Sequence, residues 1–128
     1  MSGAPDAAGR RRPVLVVDDD EDVRDVVALV LDDAGFAVEL AADGREALRR
    51  LREGGTTPCL ILLDLMMPVM DGYRFRAEQR ADAALAAIPT LVFTAGGIGP
   101  EVDALGAIAV IRKPVDLKRL LELIRAHC

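Results

Sequence analysis

Short apolar runs alternate along the chain with segments in which apolar residues recur every three or four positions. Four runs are almost wholly apolar, at residues 14–17, 60–63, 91–93 and 108–111, and a fifth, 37–40, has a glutamate inside it. Wholly apolar runs of this length are typical of strands in a parallel sheet that is covered on both faces. A charge inside a run is typical of an edge strand.

The segments between these runs predict amphipathic helices. After the first run, the apolar positions follow i, i+3, i+4, i+7 spacing and end before Gly35; they are Val23, Val26, Val27, Val30, Leu31 and Ala34. A second helix is predicted from Asp43-Gly44 to Gly54-Gly55, and its inward residues are Ala47, Leu48 and Leu51. A last helix is predicted to start near Asp116 and to bury Leu117, Leu120, Leu121 and Ile124.

Two further helices have weak patterns. The helix expected after Asp71 has its apolar residues Tyr73, Phe75 and Ala77 interrupted by Arg76, Gln79 and Arg80. The fourth helix is preceded by Gly96-Gly97-Ile98-Gly99-Pro100 and is confined to about Pro100 to Leu105. Each glycine opposes a helix by about 1 kcal/mol and proline by more. We therefore expect a mobile loop or short turn after the fourth strand.

Five strands that alternate with helices predict an α/β fold with helices on both faces of a parallel sheet. Because the second strand is suited to an edge, the pattern favours the flavodoxin-like doubly wound order 2-1-3-4-5, with a shortened or disordered fourth helix. Residues 1–12 are rich in Gly, Ala, Pro and Arg and are predicted to be a flexible tail. Residues 13–128 are predicted to form one domain.

Composition narrows the choice of partners and compartment. The 128 residues are 52% hydrophobic but only 3% aromatic, so the core is aliphatic, and the net charge of -5 argues against nucleic acid as a partner. No apolar run is long enough for a bilayer and no signal core is evident, so we expect a cytoplasmic protein without a membrane partner. The two cysteines fit a reduced compartment, with Cys59 as a small apolar residue, although its pairing with Cys128 stays open.

Polar residues with a common chemistry follow four of the predicted strands. They are Asp18, Asp19, Asp64, Thr94 and Lys113. In the proposed order these strand ends lie side by side, where ligands bind in open α/β sheets. Crowded carboxylates require a cation, and Mg²⁺ suits such oxygen ligands. An ammonium and a hydroxyl beside it suit a phosphoryl group.

Each of these residues also has an ordinary structural explanation. Asp18 and its acidic neighbours suit a helix start, Asp64 a turn, Thr94 a strand and Lys113 a solvated loop. Taken singly, each structural explanation is the better one. Together, suitable residues at four neighbouring strand ends indicate a site.

The same residues lie in four motifs that resemble the signature of response-regulator receiver domains in two-component signalling. The motifs are Val16-Val17-Asp18-Asp19-Asp20, Leu62 to Pro68 with Asp71-Gly72, Phe93-Thr94-Ala95 and Lys113-Pro114. The resemblance extends from Val14 to the C-terminus and is highly specific.

The resemblance implies a role for each residue. Asp64 would be the phosphoacceptor, attacking the phosphohistidine of a sensor histidine kinase or phosphotransfer protein. Mg²⁺ would be held by Asp19, Asp64 and the backbone carbonyl of Met66, with Asp18 nearby through water. The phosphoryl group would bind Lys113, Thr94 and the backbone amide of Ala95. The resemblance also implies a cis peptide between Lys113 and Pro114.

The chain departs from the family at two places. Val110 stands where the family usually has a Tyr or Phe, three residues before the lysine, so the aromatic switch is absent. The segment from Thr94 to Lys113 is about one helical turn shorter than usual. These departures put the output mechanism, and the downstream protein that receives the signal, in doubt.

Three functions therefore compete. The leading one is a stand-alone receiver, expected because nothing follows the fifth predicted helix; it would catalyse only its own phosphorylation and dephosphorylation and is not otherwise an enzyme. The alternative is a degenerate receiver that acts as a phosphorylation-independent interaction module. The third is a Mg²⁺-dependent phosphohydrolase using the Asp18-x-Asp20 spacing, which is disfavoured because Glu21-Asp22 replaces the residues expected next.

Overall fold

Strands and helices alternate along the whole chain in the computed structural model, which describes residues 12–54, 57–96 and 99–128. The strands are β1 (Val14–Val17), β2 (Val38–Ala41), β3 (Leu60–Leu63), β4 (Thr90–Thr94) and β5 (Ala109–Arg112). The helices are α1 (Glu21–Asp33), α2 (Gly44–Glu53), α3 (Gly72–Ala81), α4 (Pro100–Asp103) and α5 (Leu117–His127). The predicted tail lies outside the described residues apart from Arg12, so the flexibility of the tail and the domain boundary at residue 13 stay predictions.

The five strands form one parallel sheet in the order β2-β1-β3-β4-β5, as the sequence predicted. In register, Val14 of β1 lies between Val38 of β2 and Leu60 of β3. The central strands β1 and β3 are completely buried, whereas three of the four residues of the edge strand β2 are half-buried. The charge inside the second apolar run therefore predicted an edge strand correctly.

Alternate residues of the central strands point to opposite faces of the sheet, and each face carries its own core. One core combines Val14, Val16, Leu60 and Leu62 with residues of α1 and α5: Val27, Leu31, Leu120 and Ile124. The other combines Leu15, Val17, Ile61 and Leu63 with residues of α2 and α3: Ala47, Leu48 and Phe75. A run that is apolar at every position is thus explained by burial on both faces.

Helix α1 buries less of its apolar stripe than the spacing suggests. Val27 and Leu31 are buried, but Val26 is 50% exposed and Leu29 faces solvent. Successive residues of a helix are about 100° apart, so only part of a wide stripe reaches the sheet.

Helices α3 and α4 differ most from ordinary amphipathic helices. Arg76 and Gln79, which interrupt the apolar pattern of α3, are both buried. Helix α4 has only four residues, which confirms the predicted shortening, and its Val102 packs in a small cluster with Leu65, Val92 and Leu105. Gly97 and Ile98 lie outside the described residues, so the mobility expected of the loop before α4 stays a prediction.

The two cysteines are joined in a disulfide, Cys59 to Cys128. The pairing that the sequence left open is therefore present, because the fold brings the residue before β3 and the residue after α5 together, with Cα atoms 5.3 Å apart. Within the described ranges, no helix is both long and apolar enough to cross a membrane.

Candidate functional site

The first part of the site is the turn between β1 and α1. Asp18 directly follows β1 and is completely buried, and its Oδ1 accepts a hydrogen bond from the Asp20 amide at 2.9 Å. Asp20 in turn caps α1 by accepting from the amides of Asp22 and Val23. Arg24, one turn into the helix, donates to the Asp18 carbonyl at 2.7 Å. The Asp20 amide thus orients the Asp18 carboxylate, and the other bonds hold the backbone of the turn in place.

The second part is the loop between β3 and α3. Asp64 directly follows β3, is 3% exposed, and its Oδ1 accepts from the Met66 amide at 3.4 Å. The loop folds back tightly enough for the Gly72 amide to donate to the Leu65 carbonyl at 3.0 Å. A Cβ at Gly72 would clash with the Asp64 carbonyl, so this close approach requires glycine. Asp71 caps α3 by accepting from the Arg74 amide at 2.9 Å.

The third part comes from the ends of β4 and β5. Thr94 is 1% exposed, and its Oγ1 accepts from the Gly96 amide at 3.1 Å. Lys113 follows β5, its amide donates to the Thr94 carbonyl at 2.9 Å, and the peptide bond to Pro114 is cis, as the resemblance implied. The Lys113 ammonium lies 5.0 Å from the centre of the Phe93 ring, within the range of a cation–π contact.

These strand ends place three carboxylates and one ammonium together. The Lys113 Nζ is 2.8 Å from Asp18 Oδ2 and 3.4 Å from Asp64 Oδ2. Carboxylate oxygens of Asp18, Asp19 and Asp64 all lie within 4.8 Å of one another, and Asp19 is exposed while the other two are buried. This donor set fits a hard divalent cation such as Mg²⁺, which takes a few carboxylates and completes its shell with water.

Burial and the neighbouring charges shift the pKa values of Asp64 and Lys113. Burial raises the pKa of Asp64 above its ordinary value, the neighbouring Asp18 carboxylate raises it further, and Lys113 only partly opposes this. Burial alone would lower the pKa of Lys113, but the hydrogen bond and charge of Asp18, with those of Asp64, outweigh it and raise that pKa. Lys113 is therefore charged at neutral pH, and Asp64 is an unusually basic carboxylate.

The structure thus brings together four of the side chains that the sequence proposed for one site, Asp18, Asp19, Asp64 and Lys113, and places the fifth, Thr94, at the end of the adjacent strand β4, where its carbonyl accepts from the Lys113 amide. Met66 and Ala95 follow Asp64 and Thr94 by two residues and one residue, and both are exposed. Two contributors were missed. Arg24 has a weak sequence signal, an arginine on the helix that follows the acidic turn, whereas Phe93 was placed in a motif but its contact with Lys113 was not predicted, because any large apolar residue suits a buried strand.

The chain matches the family model described as "Response regulator receiver domain" over residues 14–125. The chain belongs to this family. Receiver domains are phosphoacceptor signalling domains that take phosphoryl groups from kinases and bind Mg²⁺ at an acidic pocket. The structure has a cluster of three acidic residues, Asp18, Asp19 and Asp64, at this edge of the sheet.

Individual relatives agree with this assignment. The receiver is 37% identical to Response regulator Rre1 of Synechocystis over 88% of this chain and 49% of that protein. It is 35% identical to the DNA-binding dual master transcriptional regulator RpaA of Synechocystis over 88% of this chain and 47% of that protein. The chain therefore spans about half the length of these two relatives. The structure of chemotaxis protein CheY4 of Vibrio cholerae matches with a TM-score of 0.80 and 35% identity, covering 91% of this receiver and 98% of that chain.

Proposed function

We propose that this receiver accepts a phosphoryl group on Asp64 and signals by a change in partner binding. The observation that carries the proposal is the position of the Asp64 carboxylate at the carboxyl edge of the sheet, beside Asp18 and within 3.4 Å of the Lys113 ammonium. A buried carboxylate whose pKa is raised is a better nucleophile than an ordinary one, because the basicity of its oxygen is higher.

The proposed transfer uses this chain's residues in distinct roles. An Asp64 oxygen attacks phosphorus, the bond from phosphorus to the donor's imidazole nitrogen breaks, and the imidazole keeps that electron pair and takes up a proton. Lys113, which already lies between two carboxylates, binds the phosphoryl oxygens that arrive. Thr94 Oγ1 and the Ala95 amide, at the end of the adjacent strand, donate hydrogen bonds to the same oxygens.

Asp19, Asp64 and the Met66 carbonyl are the proposed ligands of Mg²⁺, with Asp18 held nearby through water. The three carboxylates fit this ion because they are hard oxygen donors within 4.8 Å of one another. When bound, Mg²⁺ supplies the positive charge that neutralises the carboxylates and the phosphoryl oxygens. Arg24 keeps the acidic turn in place by its bond to the Asp18 carbonyl.

The proposed phosphoryl donor is a sensor histidine kinase or a histidine phosphotransfer protein, and the proposed compartment is the cytoplasm, where such kinases meet ATP. RpaA is named a DNA-binding regulator, but it is about twice as long as this chain. The net charge of -5 supports a protein rather than DNA as the direct partner of the residues present here. That the receiver acts alone stays a prediction.

The deciding experiment is the intact mass of the protein after incubation with Mg²⁺ and acetyl phosphate. We expect one phosphoryl adduct in the wild type, none without Mg²⁺, and none in Asp64→Asn. Asp25→Asn is the matched control, because Asp25 is an exposed carboxylate of α1 outside the acidic cluster, and it should keep the adduct. An adduct that persists in Asp64→Asn would refute Asp64 as the acceptor.

The degenerate interaction module has specific observations in its favour. Val110 stands where the family usually has an aromatic residue and α4 has only four residues, so the aromatic switch is absent and little of the fourth helix remains to transmit a signal. Folded wild-type protein that binds Mg²⁺ but forms no adduct would favour this alternative. The intact arrangement of Asp64, Asp18 and Lys113 favours phosphorylation instead.

A further inference from the structure

The disulfide lies at the end of the sheet opposite the carboxylates. Cys59 directly precedes β3 and Asp64 directly follows it, so five residue steps along the strand separate them by about 16 Å. Cys128 directly follows α5, and 69 positions of sequence separate the two cysteines. A chemical change at the disulfide therefore occurs at a distance from the proposed phosphoacceptor.

The bridge holds the last turn of α5 against the sheet. Ile124 is buried, but Arg125, Ala126 and His127 after it are all exposed. The Cys128 amide donates to the Ile124 carbonyl at 2.8 Å, and His127 Nδ1 contacts the Leu123 carbonyl at 2.8 Å, so both contacts stay within the helix. A terminal turn with exposed side chains frays readily unless something attaches it. The bond to Cys59 supplies that attachment.

The fold can also accommodate Cys59 as a reduced thiol. Cys59 is buried, and its Sγ lies 3.5 Å from the Pro13 carbonyl oxygen, which already accepts from the Cys59 amide at 2.9 Å. A protonated Cys59 thiol can donate to this second lone pair, so reduction leaves no buried polar group without a partner. The core around Cys59 accommodates either oxidation state.

The disulfide is open to attack from one side. Cys128 is partly exposed, and both cysteines line a surface cleft with Arg12, Thr57 and His127. An approaching thiolate is attracted by the Arg12 guanidinium that lines the cleft. Attack at the more accessible Cys128 sulfur makes the buried Cys59 sulfur the leaving group.

We propose that Cys59 and Cys128 form a reversible dithiol–disulfide site whose reduction by a dithiol releases the last turn of α5. One thiolate of the dithiol attacks the Cys128 sulfur, and Cys59 leaves as a thiolate and takes up a proton. The second thiol of the reductant then resolves the mixed disulfide, so the reductant becomes a disulfide and supplies both electrons. The proposal does not depend on the phosphoacceptor chemistry.

The first test measures thiols in the full chain. The folded protein is equilibrated with reduced and oxidised dithiothreitol in varied ratios, treated with iodoacetamide and weighed intact. We expect no alkylation at the oxidising end, two alkyl groups at the reducing end, and a return to none after reoxidation. Two alkyl groups at the oxidising end, or none after native reduction, would overturn the proposal.

The second test measures amide hydrogen exchange in both oxidation states. Reduction should speed exchange of the amides of residues 125–128 by about tenfold under conditions in which they open locally, whereas the buried amides of residues 60–63 should change only as far as the global free energy of unfolding falls. Cys128→Ser should show fast exchange of the amides of residues 125–128 under both oxidising and reducing conditions. Cys59→Ser is a second variant with the same expected result. Unchanged exchange at residues 125–128 on reduction of the wild type would contradict the release of the turn.

Discussion

At the residue scale, the backbone of Val69 is the main departure from ordinary conformation. Its φ is +67°, and among the described residues it is the one non-glycine residue with a positive φ. The Met70 amide donates to the Pro68 carbonyl at 2.7 Å and closes a three-residue turn around it. A β-branched residue is strained by about 1–2 kcal/mol in this region. Because Val69 is 70% exposed, little packing offsets this strain.

Val69→Gly is therefore expected to raise the free energy of unfolding by about 0.5–1 kcal/mol. Glycine relieves the strain but gives the unfolded chain more entropy, and the relief is the larger effect. Urea denaturation without Mg²⁺ measures the change.

Met66→Gly is the matched control for this prediction. Met66 lies in the same loop and is 68% exposed, but its φ is not positive. Glycine there brings only the entropy penalty and should lower stability by about 0.5–1 kcal/mol. The same sign for both substitutions would contradict the assignment of strain to Val69.

The second residue-scale prediction concerns the raised pKa of Asp64. A folded pKa above the unfolded value of 3.8 means that the folded state binds the proton more tightly. The ionised carboxylate therefore lowers stability above the folded pKa, and this penalty disappears as the pH falls through the folded pKa toward 3.8. Asp64→Asn should stabilise the Mg²⁺-free protein at pH 7 by about 1 kcal/mol, a usual size for relief of an unfavourable charge.

The pH dependence of stability distinguishes the loss of the Asp64 charge from a change in stability that has nothing to do with titration. The stability difference between Asp64→Asn and the wild type should shrink as the pH is lowered, whereas Asp25→Asn should show no comparable trend. Thermal melts across the pH range provide the measurement. An Asp64→Asn variant that is less stable than the wild type at pH 7, by a margin that shrinks toward acid pH, would mean that the folded pKa of Asp64 is lowered.

The sequence predicted which site residues converge, but not all of their partners. Asp18, Asp64, Thr94 and Lys113 each follow an apolar run, and the strand order alone brings such positions together. The pairing of Cys59 with Cys128 depends on where α5 ends relative to β3, a tertiary distance that no local pattern contains.

At the element scale, two arginines of α3, Arg76 and Arg80, bind the backbone carbonyls that follow the short α4. Arg76 is 7% exposed and donates to the carbonyls of Leu105 at 2.9 Å and Gly106 at 3.1 Å. It also donates to Gln79 at 2.8 Å and Thr90 at 3.2 Å. Burial, and then the nearby charge of Arg80, lowers the pKa of Arg76. One buried guanidinium thus joins α3, β4 and the connection from α4 to β5.

Arg76→Met should lower the free energy of unfolding by about 2–3 kcal/mol. Methionine fills part of the space but leaves the buried Leu105 carbonyl and the Gln79 and Thr90 side chains short of a donor, whereas water can reach the exposed Gly106. Urea denaturation at neutral pH measures the loss.

Arg80→Met is the control on the same helix. Arg80 is exposed and makes one bond, to the Ala104 carbonyl at 2.8 Å, so water can replace it. Its substitution should change stability by less than about 1 kcal/mol. Equal losses for the two variants would show that the buried network does not carry the stability.

Helices α3 and α4 also show where the prediction of secondary structure from the apolar pattern becomes weak. Apolar runs located all five strands, and the glycines and Pro100 correctly predicted a short α4. Helix α3 gave a weak signal because Arg76 and Gln79 are buried polar residues, and their hydrogen-bond partners lie on β4 and after α4. A polar residue with distant partners looks the same in sequence as one that faces solvent.

At the scale of the whole molecule, the two ends of the sheet have separate chemistries. The carboxyl ends of the strands carry the acidic cluster with Lys113, and the opposite end carries the disulfide. The rigid, fully buried β3 connects them, with Cys59 before it and Asp64 after it. The two ends therefore share a core but not a contact, and global stability is the property through which the disulfide affects the whole receiver.

Reduction of the disulfide is expected to lower the free energy of unfolding of the wild type by about 2–4 kcal/mol. The bridge spans 69 positions and restricts the unfolded chain over β3 to α5, so its loss gives the unfolded state entropy that the folded state does not gain. Urea denaturation with and without dithiothreitol measures the loss. The dependence of the free energy of unfolding on urea concentration should also become steeper on reduction, because the unbridged unfolded chain exposes more surface. Cys128→Ser should have the stability of the reduced wild type, and dithiothreitol should not change it. Equal urea midpoints and slopes for the oxidised and reduced wild type would show that the bridge does not constrain the unfolded chain.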